Sequence, residues 1–360
     1  MAVIVTIAAV TALANLPELP WLEYGVFAAG LLLVWAVVLL RLRHRRGLPT
    51  ETAKATEVRE SETHMRPPSA SSGLGRVLLR HPLFSYFTLA YVIKFGFLIP
   101  YTLAAWGIIS GDWSVAFVIA TFGPCLAGVT MAYLMEGRQG LGRLRKSISR
   151  WKVGWPRLVF IFAGIPALIM LCVSILPGSL SGFLGFPPVL LLTYPLTYFA
   201  VWFGGGGLNE EVGWRGYALP RMQPRYGPLW GTLVLGVVHC FWHLEEFLTP
   251  AQGGGPGTGW APFIVNLPVF LLLVLSFNII ATWIFNFTRG SLFAVISYHA
   301  SVDTPQAVLI PFFPAVGILA LLEGTAIPLG VLAAIILVLT RGRLGYVEAT
   351  VSPDNKTIPS

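Results

Sequence analysis

Runs of about 20 predominantly apolar residues, the length needed to cross a bilayer as a helix, recur along the whole chain. They fall at 2–17, 21–41, 84–109, 113–135, 157–177, 184–205, 227–248, 262–287, 290–312 and 315–340, and each predicts a spanning helix. Prolines within them, such as Pro187, Pro188, Pro195, Pro305 and Pro311, are tolerable because neighbouring helices satisfy the freed backbone groups. The first run lacks a basic leader and a clear small-residue cleavage site, so it reads as a short span rather than a cleaved signal. Between the second and third runs, 47–75 is polar and poor in large apolar side chains, the pattern of a flexible linker. The Gly-rich 251–259 reads as an outer loop tip. The fold class is therefore all-α, a polytopic membrane helix bundle with an eight-span core and two N-terminal spans. Its expected divisions are N-terminal spans 1–46, a polar cytoplasmic linker 47–80, a helical body 81–345 and a cytoplasmic tail 346–360. No transporter-type internal repeat is visible.

Composition agrees. Of 360 residues 55% are hydrophobic and 11% charged, with mean hydropathy +0.73, whereas soluble domains carry about 25% charged residues. A single soluble domain is excluded. The net charge of +8 reads as topology rather than nucleic-acid binding: 16 of the 24 Lys and Arg lie in 41–80 and 136–157, and such clusters mark cytoplasmic loops. Propagating the alternation puts 206–226 on the same side and, with an even span count, both termini in the cytoplasm. The three cysteines lie in apolar runs and form no disulfide framework or metal motif.

Ionisable residues inside spans are costly, about 2.5–3.5 kcal/mol at a helix centre on an insertion scale, and so call for a role. Lys94 and Glu323 stand apart. The others gather at 210–215, 239–246 and 299–303. In Glu210-Glu211-Val212-Gly213-Trp214-Arg215 the i, i+4 spacing lets Glu211 pair with Arg215 and rotates Glu210 about 100° away. An ordinary salt bridge at a helix cap is the plainer account. His239 and His243 also stand one turn apart, as two imidazoles facing one metal or one water would, or as interfacial aromatics followed by Glu245 and Glu246. His299 and Asp303 repeat the spacing, either fixing an imidazole tautomer or gluing two spans together. Together the three clusters hold a free carboxylate, imidazoles and a second carboxylate, a set able to activate water and stabilise an oxyanion. No P-loop, dinucleotide fingerprint or serine-nucleophile motif accompanies them.

In this order the segments resemble the CPBP family of intramembrane proteases, also called the Abi or CAAX protease family, which includes the type II CAAX prenyl endopeptidases. The stretch Asn209 to Arg221 is similar to the family's first motif in its bacterial form, Phe241-Trp242-His243-Leu244 to the second, and Gly290 through His299-Ala300-Ser301 to the third. The resemblance implies hydrolysis of a peptide bond of a membrane-embedded or lipidated substrate at a bacterial-type plasma membrane, with the active site toward the cytoplasm. By the same resemblance Glu210 is the general base, His243 assists, Arg215 holds Glu211, and His299 with Asp303 serves the oxyanion site. A metal-free glutamate protease is one form of this chemistry. A metalloprotease is the other, with zinc on Glu210, His243 and His299 and with His239 as a further ligand. Two positions depart from the pattern: His239 replaces an aromatic, and Asp303 replaces an Asn. An ionised Asp cannot donate to an oxyanion, so Asp303 must be protonated, orient His299 or bind a metal. The alternatives from other classes are a non-proteolytic immunity or scaffold protein and an ion- or proton-coupled transporter using the same buried charges.

Overall fold

The computed structural model describes residues 79–249, 254–257 and 261–347, with backbone alone for Glu245, Glu246 and 318–321. The two expected N-terminal spans, most of the linker and 348–360 lie outside the described residues, as do parts of the Gly-rich loop. The rest consists of helices joined by turns and loops. In order, the elements are α1 (Pro82–Ala105), α2 (Ser114–Thr121), α3 (Gly123–Ile148), α4 (Trp155–Ile175, with a π-helical turn at Phe160–Gly164), α5 (Leu190–Gly204), α6 (Gly207–Gly213), α7 (Leu219–Tyr226), α8 (Pro228–Trp242), α9 (Ala261–Phe287), α10 (Leu292–Val308) and α11 (Ile318–Thr340). A π-helical turn, Trp214–Ala218, joins α6 to α7.

Among the described residues α1, α4, α9 and α11 are long and apolar enough to cross a membrane, and α2 with α3, bent by 46° between them, makes a fifth if taken together. Here the structure differs from eight full-length spans in the body. The runs 184–205, 227–248 and 290–312 become helices of 15, 15 and 17 residues. At 1.5 Å per residue a 15-residue helix reaches only about 22 Å, against a hydrocarbon core of about 30 Å. Local chemistry sets the shortfall. Pro187 and Pro188 precede α5 and a glycine run ends it. Gly227, with φ +76°, and Pro228 start α8, which gives way to a 3-10 turn at Leu244–Leu248. The Ser291 hydroxyl caps α10 by accepting from the Ala294 N–H at 3.1 Å. Short helices bring chain ends and polar groups to membrane depth, which is tolerated where protein surrounds them.

Two apolar clusters flank this interruption. One combines α4, α9, α10 and α11 through residues such as Ile165, Ile169, Ile280, Leu329 and Ala333. The other packs α1 and α3 against α6, the π turn, α7 and α8 through Tyr86, Met131, Trp214, Tyr217, Met222 and Trp242. Small residues let α3 and α6 meet: a Cβ on Gly128 would lie 2.9 Å from Gly213 Cα, and one on Gly213 would overlap Pro124 O. Such close backbone approach is the usual way helices associate in lipid, where no hydrophobic drive separates protein from solvent. The seam between the two clusters holds the polar side chains.

Candidate active site

The seam begins at the glycine run. Gly206 has φ +113°, a conformation that favours glycine, and its N–H donates to Asn209 Oδ1 at 2.8 Å. The Asn209 amide in turn donates to Thr121 O at 3.1 Å and Gly204 O at 3.2 Å. This turn starts α6 abruptly, so that Glu210 and Glu211 follow within one turn, both buried. The adjacent π turn re-aims Trp214 and Arg215 inward; such turns are frequent at functional sites.

Glu210 and Glu211 then diverge. Arg215 Nη1 donates to both oxygens of Glu211 at 3.0 Å, and neither side chain has any exposed surface. Glu211 Oε1 also lies 2.8 Å from His299 Nδ1, and the other ring nitrogen of His299 is 3.2 Å from Asp303 Oδ2. Both partners of His299 are acceptors, so the ring satisfies them together only when it donates from both nitrogens. Asp303 is 37% exposed and thus opens toward the edge of the seam. Gly206 backs His299 directly: a Cβ there would overlap its Nε2.

Glu210 has no cation of its own in this network. Its Oε2 accepts from Trp214 Nε1 at 3.2 Å and lies 2.9 Å from His239 Nε2. His243 Nε2 is 3.4 Å from the same His239 nitrogen. One ligand atom each from Glu210, His239 and His243 lies within 4.8 Å of the others, a group that could hold a metal ion. His299 stands outside that group, with both ring nitrogens facing carboxylates. The structure thus gathers Glu210, His239 and His243 at one pole and Glu211, Arg215, His299 and Asp303 at the other. Lys94 is buried nearby, its Nζ 4.4 Å from the centroid of Trp242. Glu323 lies on α11, buried, with Oε1 lacking a hydrogen-bond partner among the described residues.

The poles are joined by Asn278 of α9, a residue that a search for ionisable groups passes over. Its Oδ1 accepts from Arg215 Nη2 at 2.7 Å, while its Nδ2 faces His239 Nδ1 at 3.2 Å and donates to Val274 O at 2.8 Å. Gly236 of α8 faces it across the helix contact, where a Cβ would lie at an ordinary 3.5 Å from that of Asn278. Asn278 is one of three asparagines in the largely apolar run 262–287, with Asn266 and Asn286, and the available signal was that polar residues in spans face the interior of the bundle.

Comparison with known proteins covers this same region. Residues 192–304 match the family described as type II CAAX prenyl endopeptidase Rce1-like. A curated relative, CAAX prenyl protease 2 of Methanococcus maripaludis, is 27% identical over 166 residues, covering 41% of this chain and 55% of the relative. The chain therefore spans about half the length of the curated relative it matches. These similarities agree with the resemblance read from the motifs: the matched stretch is similar to CAAX-type proteases.

Proposed function

We propose that the protein is an intramembrane endopeptidase in which Glu210 draws a proton from water for attack on a peptide carbonyl. The observation that carries this reading is the asymmetry of the two glutamates. Arg215 is committed to Glu211, which leaves Glu210 a buried carboxylate held by the Trp214 and His239 ring nitrogens rather than by Arg215. Oε2 takes both hydrogen bonds made to Glu210 among the described residues, so Oε1 is the atom left to receive a water proton. A base oriented on one oxygen and open on the other meets the geometric need of general base catalysis. His243, beside His239, is placed to assist at the reacting water, and His299, held by Asp303 on one ring nitrogen and Glu211 on the other, to set a positive charge beside the developing oxyanion.

Zinc fits the donor types and the spacing of Glu210, His239 and His243, since two imidazoles and a carboxylate are a known catalytic set. It does not fit the surroundings of His239. A histidine bound to metal through Nε2 carries its proton on Nδ1 and gives it to an acceptor, but Nδ1 here meets the Asn278 N–H donor. The mechanism therefore runs through the side chains alone.

The substrate in this reading is a membrane-associated or prenylated protein, the class to which the matched family's description points. Phe199 and Phe203 on α5 and Phe241 on α8 are exposed beside the short helix ends, giving an apolar approach from the bilayer. The concentration of basic residues in 41–80 and 136–157 favours an active site facing the cytoplasm. The test is cleavage in proteoliposomes of two peptides, one farnesylated at a C-terminal CAAX sequence and one membrane-inserted without a prenyl group. Wild type cleaves at least one of them, and Glu210→Gln cleaves it about 10²–10⁴-fold more slowly. Equal turnover by the two proteins would overturn the reading.

A further inference from the structure

Asn278 lies between the two poles of the site, and its orientation is forced. Arg215 has only N–H donors to offer, and both Glu211 oxygens already hold Nη1. Turning the Asn278 amide over would set its NH2 against Arg215 Nη2 at 2.7 Å and its oxygen against Val274 O. The carbonyl must therefore face Arg215 and the NH2 must face His239. Glu211 orients Arg215, Arg215 orients Asn278, and Asn278 presents a donor to His239 Nδ1.

We propose that Asn278 is a positioning residue that keeps His239 a neutral Nε2–H donor to Glu210 and thereby holds the Glu210–His239–His243 group as a base site rather than a metal site. A donor at Nδ1 occupies the lone pair that a second proton would take, so the ring cannot relieve Glu210 of the proton it accepts from water. The same donor denies His239 the Nδ1–H that ligation through Nε2 requires. His299 is the opposite case: that ring has a carboxylate at each nitrogen and no donor facing it.

The role given to Glu210 rests on the proteolytic reading; the tautomer given to His239 does not, and the experiment separates them. Protein labelled with 15N-histidine is reconstituted in lipid, and the His239 signals are identified by their loss in His239→Gln. In wild type Nε2 is protonated and Nδ1 is not. In Asn278→Asp the carboxylate still accepts from Arg215 but offers an acceptor to the ring, and Nδ1 becomes protonated. Zinc alone, titrated against a chromophoric chelator, binds Asn278→Asp at least tenfold more tightly than wild type, the scale on which groups hydrogen-bonded to a ligand act on metal affinity. The gain disappears when His239→Gln is added. Should the Asp variant fail to fold, Asn278→Ala removes the opposing donor and shows the same direction of change in zinc affinity. A protonated Nδ1 in wild type, or zinc affinity unchanged in whichever variant folds, overturns the inference. If wild type cleaves no peptide while these shifts occur, the inference about His239 holds and the proteolytic reading falls. If cleavage occurs without them, the reverse is true.

Discussion

Glu210 and Glu211 are neighbours in sequence, equally buried, and on one short helix, yet they stand at opposite poles of the polar seam. Glu211 is engaged on both oxygens: it takes two bonds from Arg215, and Oε1 has a third contact to His299. Glu210 is held on one oxygen by Trp214 and His239 and is otherwise uncommitted. The 100° step per helical residue sends adjacent side chains to different partners, so one short segment supplies both a structural ion pair and a reactive group. Burial alone does not distinguish the two roles. What distinguishes them is whether a cation is aimed at the carboxylate.

The largest effects should come from exchanging these roles. Glu210→Gln keeps the Trp214 hydrogen bond and removes the base, so its turnover should fall about 10²–10⁴-fold, the usual contribution of a general base, while thermal unfolding stays near wild type. Glu211→Gln leaves Arg215 as an uncompensated buried charge, for which about 3–5 kcal/mol of destabilisation is expected. Thermal shift in detergent read alongside peptide cleavage checks both. A stable but inactive Glu211→Gln together with an unstable Glu210→Gln would invert the comparison.

Next in size is Gly206→Ala. The added Cβ would overlap His299 Nε2 at a backbone φ of +113°, and strain of this kind costs about 1–3 kcal/mol. Gly107→Ala is the matching control, because Gly107 also has positive φ but no atom within 4 Å of where the added methyl would sit. A drop in stability confined to backbone strain should be shared by both variants, whereas a loss of peptide cleavage should belong to Gly206→Ala alone. Asp303→Asn should do less. Its carbonyl oxygen still accepts from His299 Nε2, and only the charge is lost. A charge-assisted hydrogen bond exceeds a neutral one by about 1 kcal/mol, so the fall in cleavage rate should be about fivefold. A loss as large as that of Glu210→Gln would show that Asp303 belongs to the reacting pole.

Much of this could be read from the chain. Apolar runs and sparse charge predict the helical bundle, and the i, i+4 spacing of Glu211 with Arg215 and of His299 with Asp303 predicts pairs that the structure contains. Two things could not. Apolar length overstates helix length wherever Pro and Gly interrupt it, so a count of apolar residues alone made the runs at 184–205, 227–248 and 290–312 look like full spans. Long-range pairing was also invisible: spacing along one helix says nothing about which residue of another helix will face it. His239 therefore read as one of several ligands, and Asn278, being uncharged, did not enter the set at all, although it touches both poles.

The smallest effect should come from a Glu–Arg arrangement outside the seam. Glu136 sits beside Gly137, where α3 kinks at φ +60°, and it accepts from Arg143 Nε and Nη2 at 3.1 Å each and from Arg221 Nη2. Arg143 also donates to Gly216 O at 2.9 Å, tying the kink to the π turn that carries Arg215. The chemistry matches that of Glu211 with Arg215, and the number of ion contacts is no smaller, but the Arg143 and Glu136 side chains are 40% and 21% exposed. Water and salt screen such pairs, which are usually worth about 0–1 kcal/mol. Glu136→Gln should therefore lower stability by no more than about 1 kcal/mol, and the difference from wild type should shrink as salt is raised. Glu211→Gln should show no such salt dependence, since its partner is sealed from solvent. If the two variants proved equally damaging and equally insensitive to salt, the special cost assigned to the buried pole would have no basis in burial, and the Arg143 bridge to Gly216 would have to be counted as part of the support of the site.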